Sequence, residues 1–304
     1  MLNITRSFMK LYSIKTIASV LLSRCYFLFS DRLYLTLQYF LKLGKFIDFE
    51  NPELFGEKLQ YLKLYNKNPL YSKLVDKYEV KKYVSNKLSA DYCIPTIGVW
   101  NNIDEIDIKE LPDECVLKCT HDSGSILFYR KGDPFIDKKL KKLQKSLRKN
   151  YYLQSKEWPY RDVKHRIIAE PLMKDDNKLD LIDYKFFCFD GNPMFCQVIQ
   201  NRRKNETIDW FNMDWKLMPF SGIHKSIFER FPNSKIPIKK PFCFEEMKSI
   251  AKTLSQGIPF VRIDLYEINQ KVYFGEFTFF PMSGYGTFYP IQYNKILGDL
   301  INVK

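Results

Sequence analysis

Histidine is scarce in this chain: three residues, His121, His165 and His224, are spread over 304 positions without the close spacing of a zinc site. A zinc enzyme is therefore not expected. The seven cysteines are an odd number, contain no CxxC and sit mostly inside apolar runs. They read as buried thiols of a reducing compartment rather than as a disulfide framework. No stretch reaches the ~20 apolar residues of a membrane span, because the most apolar early run, IASVLLSRCYFLFSDRLYL, is broken by Arg24, Asp31 and Arg32. It also lacks a small-residue cleavage site, which argues against a secretory signal. The GxxxxGK[ST] loop of Walker-type nucleotide sites is missing, and no clean DxD follows an apolar strand. Acids are the minority charge, 35 against 48 Lys and Arg, giving +13 and a pI near 9.2. That balance favours anionic partners: nucleotide, acidic glycan, anionic lipid or nucleic acid. The expected location is cytoplasmic, and the basic, aromatic N-terminus leaves open a peripheral contact with the inner membrane face.

What is present is globular. Hydrophobic residues make up 45% and aromatics 16%, enough in a chain this long for a substantial core. Residues 1 to about 45 carry apolar residues at helical spacing, and helical patterns recur from Pro52 to Leu88. Ile94–Trp100 is a short β-like run. Cys115–Cys119 reads as a buried strand entering the polar loop Thr120–Ser125, with Ile126–Tyr129 as its return. Lys138–Asn150 forms a helix with Leu140, Leu143 and Leu147 inward and six basic residues outward, either a solvated face or a docking patch for an anionic glycan or lipid. Strands follow at Arg166–Glu170, Asp183–Phe189 and Met194–Gln200, the last two joined by the turn signal Asp190-Gly191-Asn192-Pro193. Asn201–Pro241 reads as loop-rich, and Phe244–Gln256 as a helix. No internal repeat is visible.

The stretch VRIDLYEINQKVYFGEFT, residues 261–278, holds one acid in each of two β-rich runs, Asp264 and Glu276. A three-residue loop Asn269-Gln270-Lys271 would set Ile268 opposite Val272 and Asp264 opposite Glu276, with Cβ atoms about 5 Å apart. A two-residue loop would send the acids to opposite faces. Facing acids call for a cation between them, and Mg²⁺, which prefers oxygen ligands and travels with phosphate, suits the pair. A salt bridge to Arg262, on the Asp264 face, or simple exposure accounts for them equally well. If the acids do face one another, neutralising either one should relieve repulsion and raise stability.

The order of motifs is more specific than any one of them. Asp76-Lys77, Pro95, Val116-Leu117-Lys118 with Gly124-Ser125, Ile168-Ala169-Glu170-Pro171-Leu172, Asp183-Tyr184-Lys185, Arg262-Ile263-Asp264 and Gly275-Glu276-Phe277-Thr278 follow one another along the chain. Over about residues 70 to 286 this series resembles the ATP-grasp superfamily, as in D-alanine–D-alanine ligase. The stretches NPELFGEKLQYLKLYNKNPLYSKLVDKYEVKKYV, LPDECVLKCTHDSG, DYKFFCFDGNP and VRIDLYEINQKVYFGEFTFFPMSG resemble the TupA-like ATP-grasp family of bacterial surface-polysaccharide gene clusters.

The resemblance implies an α+β fold, the ATP-grasp fold of two α+β subdomains clamping ATP, behind a helical N-terminal region. Its divisions would be a helical segment at 1–50, a helical and β region at 51–112, a small subdomain with the phosphate loop at 113–172, and a large one with the metal hairpin at 173–304. It implies ATP and Mg²⁺ as cofactors. Lys77 and Lys118 would neutralise the ATP phosphates beneath a loop whose Ser123, Gly124 and Ser125 offer backbone N–H groups. Glu170, Pro171 and Leu172 would form the adenine hinge and Asp183 would hold ribose. Asp264 and Glu276 would bind metal, with Thr278 standing where many superfamily members place an Asn ligand. Arg262 would stabilise the acyl phosphate and its oxyanion. Lys185 and Arg202 are candidate contacts to phosphate or to a substrate carboxylate, and Ser283-Gly284 could hold that carboxylate through backbone N–H groups.

The implied reaction is a carboxylate–amine ligation through an acyl phosphate, with an anionic sugar or glycan carboxylate or an acidic amino acid as substrate and a small amine as nucleophile. A glycosyltransferase of the same gene clusters, a sugar kinase using the same nucleotide site and a glycan-binding module without turnover are the alternatives. Nucleic-acid binding would use the basic and aromatic residues but leaves both acids unexplained, so no nucleic-acid partner is expected.

Overall fold

The computed structural model describes residues 14–176, 180–202, 204–224 and 230–303, so the helical expectation for residues 1–13 lies outside the described residues. Helical backbone over 14–24 and the helix Asp31–Leu43 pack on one another through Leu22, Tyr34, Leu35 and Tyr39. Ser30 caps the second by accepting from Leu33 N, and Gly44, at φ 74°, ends it in the left-handed conformation that glycine adopts without strain. No helix among the described residues is long and apolar enough to cross a membrane.

Two antiparallel sheets dominate. The smaller runs β1-β4-β2-β3, from β1 (Gly98–Trp100), β2 (Glu114–Cys119), β3 (Ile126–Arg130) and β4 (Ile167–Pro171). Cys115, Leu117 and Cys119 alternate onto one face of β2, where Leu143 and Leu147 of the helix Ile136–Leu147 cover them. The sheet thus draws β1 from outside residues 113–172. The larger runs β10-β9-β5-β6-β7, with β5 (Asp183–Phe189), β6 (Asn192–Gln200), β7 (Thr207–Asn212), β9 (Phe260–Ile268) and β10 (Lys271–Thr278). All seven residues of β5 are buried. Its Tyr184, Phe186 and Cys188 face the helix Phe244–Ser255, and its Asp183 and Lys185 face the other lobe. A two-stranded ladder of β8 (Ser221–His224) and β11 (Thr287–Tyr289) completes the strands.

Two sequence expectations change. β7 lies inside the stretch that reads as loop, because Asp209 interrupts its apolar pattern. That aspartate is 3% exposed, accepting from Asn233 Nδ2 at 2.9 Å and Ser234 N at 3.0 Å, so a satisfied buried acid stands where a hydrophobe was looked for. The second change is in the hairpin of residues 261–278. Its loop has two residues, Asn269 and Gln270 with φ of 51° and 58°, so Lys271 pairs with Ile268. On that register alone the acids would part, but one extra residue, Gly275, bulges between Phe274 and Glu276 and restores Glu276 opposite Asp264. The residue there has to be small: a Cβ on Gly275 would meet the Tyr266 ring at 2.9 Å and the Asp264 carbonyl oxygen at 3.0 Å. The acids face each other as expected, by a different route.

Candidate active site

The strand registers carry the site. Lys185 pairs with Asp264 and Asp183 with Tyr266 across β5 and β9, while Glu276 stands opposite Asp264 and Thr278 opposite Arg262 across β9 and β10. Period-two alternation turns Asp183, Lys185, Arg262, Asp264 and Glu276 to one face. That face meets the small sheet and the residues around the helix Glu79–Lys87 across a cleft of about 430 Å³. Six cationic side chains, from Lys77, Lys81, Lys118, Lys185, Arg202 and Arg262, line it against three carboxylates, from Glu170, Asp183 and Glu276, while Asp264 and Thr278 do not line it but bond to Arg262, which does. Such an excess of positive charge, with apolar Val80, Ile94, Ile199 and Phe274 between, suits a polyanion bearing a flat hydrophobic group.

On the floor, the Arg262 guanidinium donates to Asp264 through Nε at 2.6 Å and through Nη2 at 2.7 Å. The same Nη2 donates to Thr278 Oγ1 at 2.9 Å and reaches Glu276 Oε1 at 3.4 Å. Lys185 also donates to Asp264. Burial pushes the Asp264 carboxyl up, but Arg262 and Lys185 outweigh it and hold the group below the usual carboxylate range. Asp264 is 2% exposed, so these two cations stand in for the water it has lost. Beside them Asp183 accepts from Arg202 Nε at 2.8 Å and from the Tyr266 hydroxyl at 3.2 Å.

The roof comes from the small lobe. Glu170, at the end of β4, is held by Lys81 at 2.5 Å and Lys118 at 2.6 Å. Burial raises its carboxyl, and the two ammonium groups more than reverse that. Lys77 lies under the polar loop, donating to Cys119 O at 2.8 Å and to Asp122 O. Burial lowers its ammonium from the ordinary lysine value, with Asp122 and Glu276 opposing. Ser123 and Gly124 edge the cleft, whereas the Ser125 hydroxyl is occupied by Asp122 and Cys119 N within the loop.

Pro171, Leu172, Ser283 and Gly284 do not line the cleft. Ser283 N is bonded to Phe280 O at 2.7 Å, and the Ser283 carbonyl and hydroxyl are taken by Lys63 and Gln60. Sequence reasoning missed Lys81, which the first turn of the helix Glu79–Lys87 brings to Glu170. It also missed Tyr266, and Arg166, which ties β4 to Asp76 at 2.7 Å and Glu79 at 2.9 Å.

Two of the histidines, distant in sequence, stack at the root of the loop: the His121 and His165 rings lie 3.6 Å apart at 8°. Burial and the neighbouring His165 lower His121 from 6.5 to about 4, against the opposing Asp122, with Lys77 adding to the depression; its Nε2 meets Lys149 O at 3.1 Å. His121 is therefore neutral when folded and protonates near 6.5 when unfolded. Its contribution is complete above about pH 6.5 and is lost as pH falls toward 4, at about 1.4 kcal/mol per unit. Thermal melts across that window should fall with pH in the wild type, and His121→Phe should flatten the profile.

Two facing lobes, one carrying a small polar loop over buried lysines and the other a strand pair with opposed acids, make the ATP-grasp arrangement. A family model described as TupA-like ATPgrasp matches residues 57–302, and the chain belongs to that family. No curated protein matches it significantly. Among solved structures it is similar to the D-alanine–D-alanine ligase of Helicobacter pylori, with TM-score 0.40, 13% identity, and 76% of this chain and 63% of that one covered. The Bacillus anthracis D-alanine–D-alanine ligase complexed with ATP gives 0.41, 12%, 75% and 62%. A RimK domain protein ATP-grasp from Sphaerobacter thermophilus gives 0.40, 10%, 78% and 70%. The chain spans less than two thirds of the length of these D-alanine–D-alanine ligases.

Proposed function

We propose that the chain is an ATP- and Mg²⁺-dependent carboxylate–amine ligase acting on a uronic acid or acidic amino-acid group in surface-polysaccharide synthesis. The observation that carries this is the convergence of Arg262, Asp264, Glu276 and Thr278 at one point of a cationic cleft. Among the described residues no group of three or more His, Cys, Asp or Glu is placed to hold a metal. The donor set is two carboxylates and a hydroxyl, all oxygen, and it fits Mg²⁺, which is commonly held by one or two carboxylates together with substrate phosphates and water. Arg262 Nη2, touching all three side chains, occupies the cation position in their midst. Asp264, Glu276 and Thr278 would hold the metal, which would supply positive charge to offset that of the phosphates.

The protein's own part follows from the cleft. Lys77, Lys118 and the N–H groups of Ser123 and Gly124 hold and screen the triphosphate, Asp183 accepts from ribose, and the Glu170 region takes the base. Displaced from the acids, Arg262 turns to the phosphoryl group and the developing oxyanion, with Lys185 and Arg202 beside it for a substrate carboxylate. A carboxylate oxygen attacks the γ-phosphorus and the bond to ADP breaks. The amine then attacks the acyl carbon, loses a proton, and phosphate departs with the former carboxylate oxygen.

The test is to incubate the protein with Mg-ATP, hydroxylamine and a panel of uronates and acidic amino acids. ADP release that depends on the carboxylate, with a hydroxamate product, is expected. A stable phosphorylated sugar would mark a kinase instead. With ¹⁸O in the carboxylate, label should appear in released phosphate; unlabelled phosphate in a reaction that consumes carboxylate and amine would overturn the acyl phosphate.

A further inference from the structure

A second cavity, of about 470 Å³, lies against the loop that edges the nucleotide cleft. Both spaces are lined by Ser123, Gly124 and Ile126, so the loop is the partition between them. The cavity's other walls are the helix Ile136–Leu147 and the chain that follows it, contributing Lys139, Lys142, Lys149 and Tyr151. Two of the six outward basic residues of that segment, with Lys149 just beyond them, therefore face a concavity, not open solvent.

The three lysines differ. Lys139 is matched by Asp133 at 2.5 Å. Lys142 and Lys149 form no ion pair with an acidic side chain among the described residues, though both line the cavity. The same cavity is lined by Asp122 and by Ile126 and Phe128 of β3, which at 52% and 55% exposure leave an apolar and aromatic surface without a cover. Ammonium groups without an ion-pair partner, sharing one concavity with an apolar and aromatic surface, are the complement of a chain whose units are flat-faced, hydroxylated and acidic. An isolated phosphate would use the lysines and leave Ile126 and Phe128 exposed.

We propose that this cavity is an acceptor subsite for an anionic oligosaccharide, gripping acidic sugar units beyond the one that reacts, with the partition loop set between that grip and the nucleotide. The assignment rests on the ligase function proposed above for its biological sense, but not for its measurement. Binding is measured by calorimetry without nucleotide or metal, using tetragalacturonate, maltotetraose and inorganic phosphate as probes. Wild-type protein should bind tetragalacturonate and neither of the others at comparable strength. The double variant Lys142→Gln/Lys149→Gln should bind it about tenfold more weakly or worse, as loss of charge-assisted contacts implies, while its ATP affinity stays unchanged. Failure of wild type to bind tetragalacturonate, equal affinity for maltotetraose or phosphate, or an unaltered double variant would each overturn the proposal. Absence of hydroxamate would instead count against the ligase alone, because the binding titration contains no reaction.

Discussion

Glu276→Gln should give a protein that folds as the wild type does but releases ADP roughly a thousandfold more slowly, whereas Asp264→Asn should lose both turnover and stability. The rate loss follows from the several kcal/mol of charge stabilisation a bound cation supplies, at about 1.4 kcal/mol per decade. The difference in stability follows from burial. The Glu276 side chain is 44% exposed and water can replace its weak contact with Arg262. Asp264 is buried between Arg262 and Lys185, and Asn in its place leaves two buried cations without their counter-charge. Breaking such a cluster costs about 3–5 kcal/mol. The sequence expectation that removing either acid relieves repulsion is thereby reversed at Asp264: the acids repel less than that one acid binds its cations. Thermal melts without nucleotide, beside ADP release with Mg-ATP and substrate, separate the two effects; an Asp264→Asn protein that melts higher than wild type would contradict the charge balance drawn here.

Lys63→Met should destabilise the fold by about 3–5 kcal/mol, and Glu157→Gln added to it should recover much of the loss. Lys63 is 1% exposed and Glu157 4%. Burial lowers the Lys63 ammonium to about 7 and raises the Glu157 carboxyl, each group opposing the other's shift. The ammonium donates to Ser155 O at 3.0 Å and to Ser283 O at 2.8 Å and Oγ at 2.9 Å. Those bonds hold a run of three left-handed residues, Met282, Ser283 and Gly284, with φ of 49°, 55° and 70°. Two of the three carry a Cβ, at about 1–2 kcal/mol each. Met282 lines the nucleotide cleft, so the single variant should also weaken ATP binding. Denaturant titration of the single and double variants measures the first effect and calorimetry with ATP the second.

Much of the candidate site was legible in the sequence because its residues sit on strands, where period two and chain order fix which side chains share a face. Asp183, Lys185, Arg262, Asp264 and Glu276 lie in runs of apolar and aromatic residues, and an acid or base in such a run is conspicuous. What was not legible depends on contacts between distant segments. Nothing local says that Asp209 is buried and satisfied by Asn233 and Ser234, that Lys81 reaches Glu170, or that His121 stacks on His165. Ser283 shows the converse: its place after the hairpin that carries Asp264 and Glu276 suggested substrate, but Lys63, 220 residues away, already holds it.

The position of Gly275 has a consequence for how the hairpin can change. The extra residue lies between the tip and the acids, so the facing of Glu276 is settled locally, by the close approach of Gly275 to Tyr266 and the Asp264 backbone. The tip at Asn269-Gln270 is thereby relieved of setting the reading frame of the two strands below it. Residues can be added or exchanged at the tip, for a tag or a recognition loop, whereas drawing Gly275 into the ladder opposite Asp264 would set Glu276 opposite Ile263 and turn the acid away.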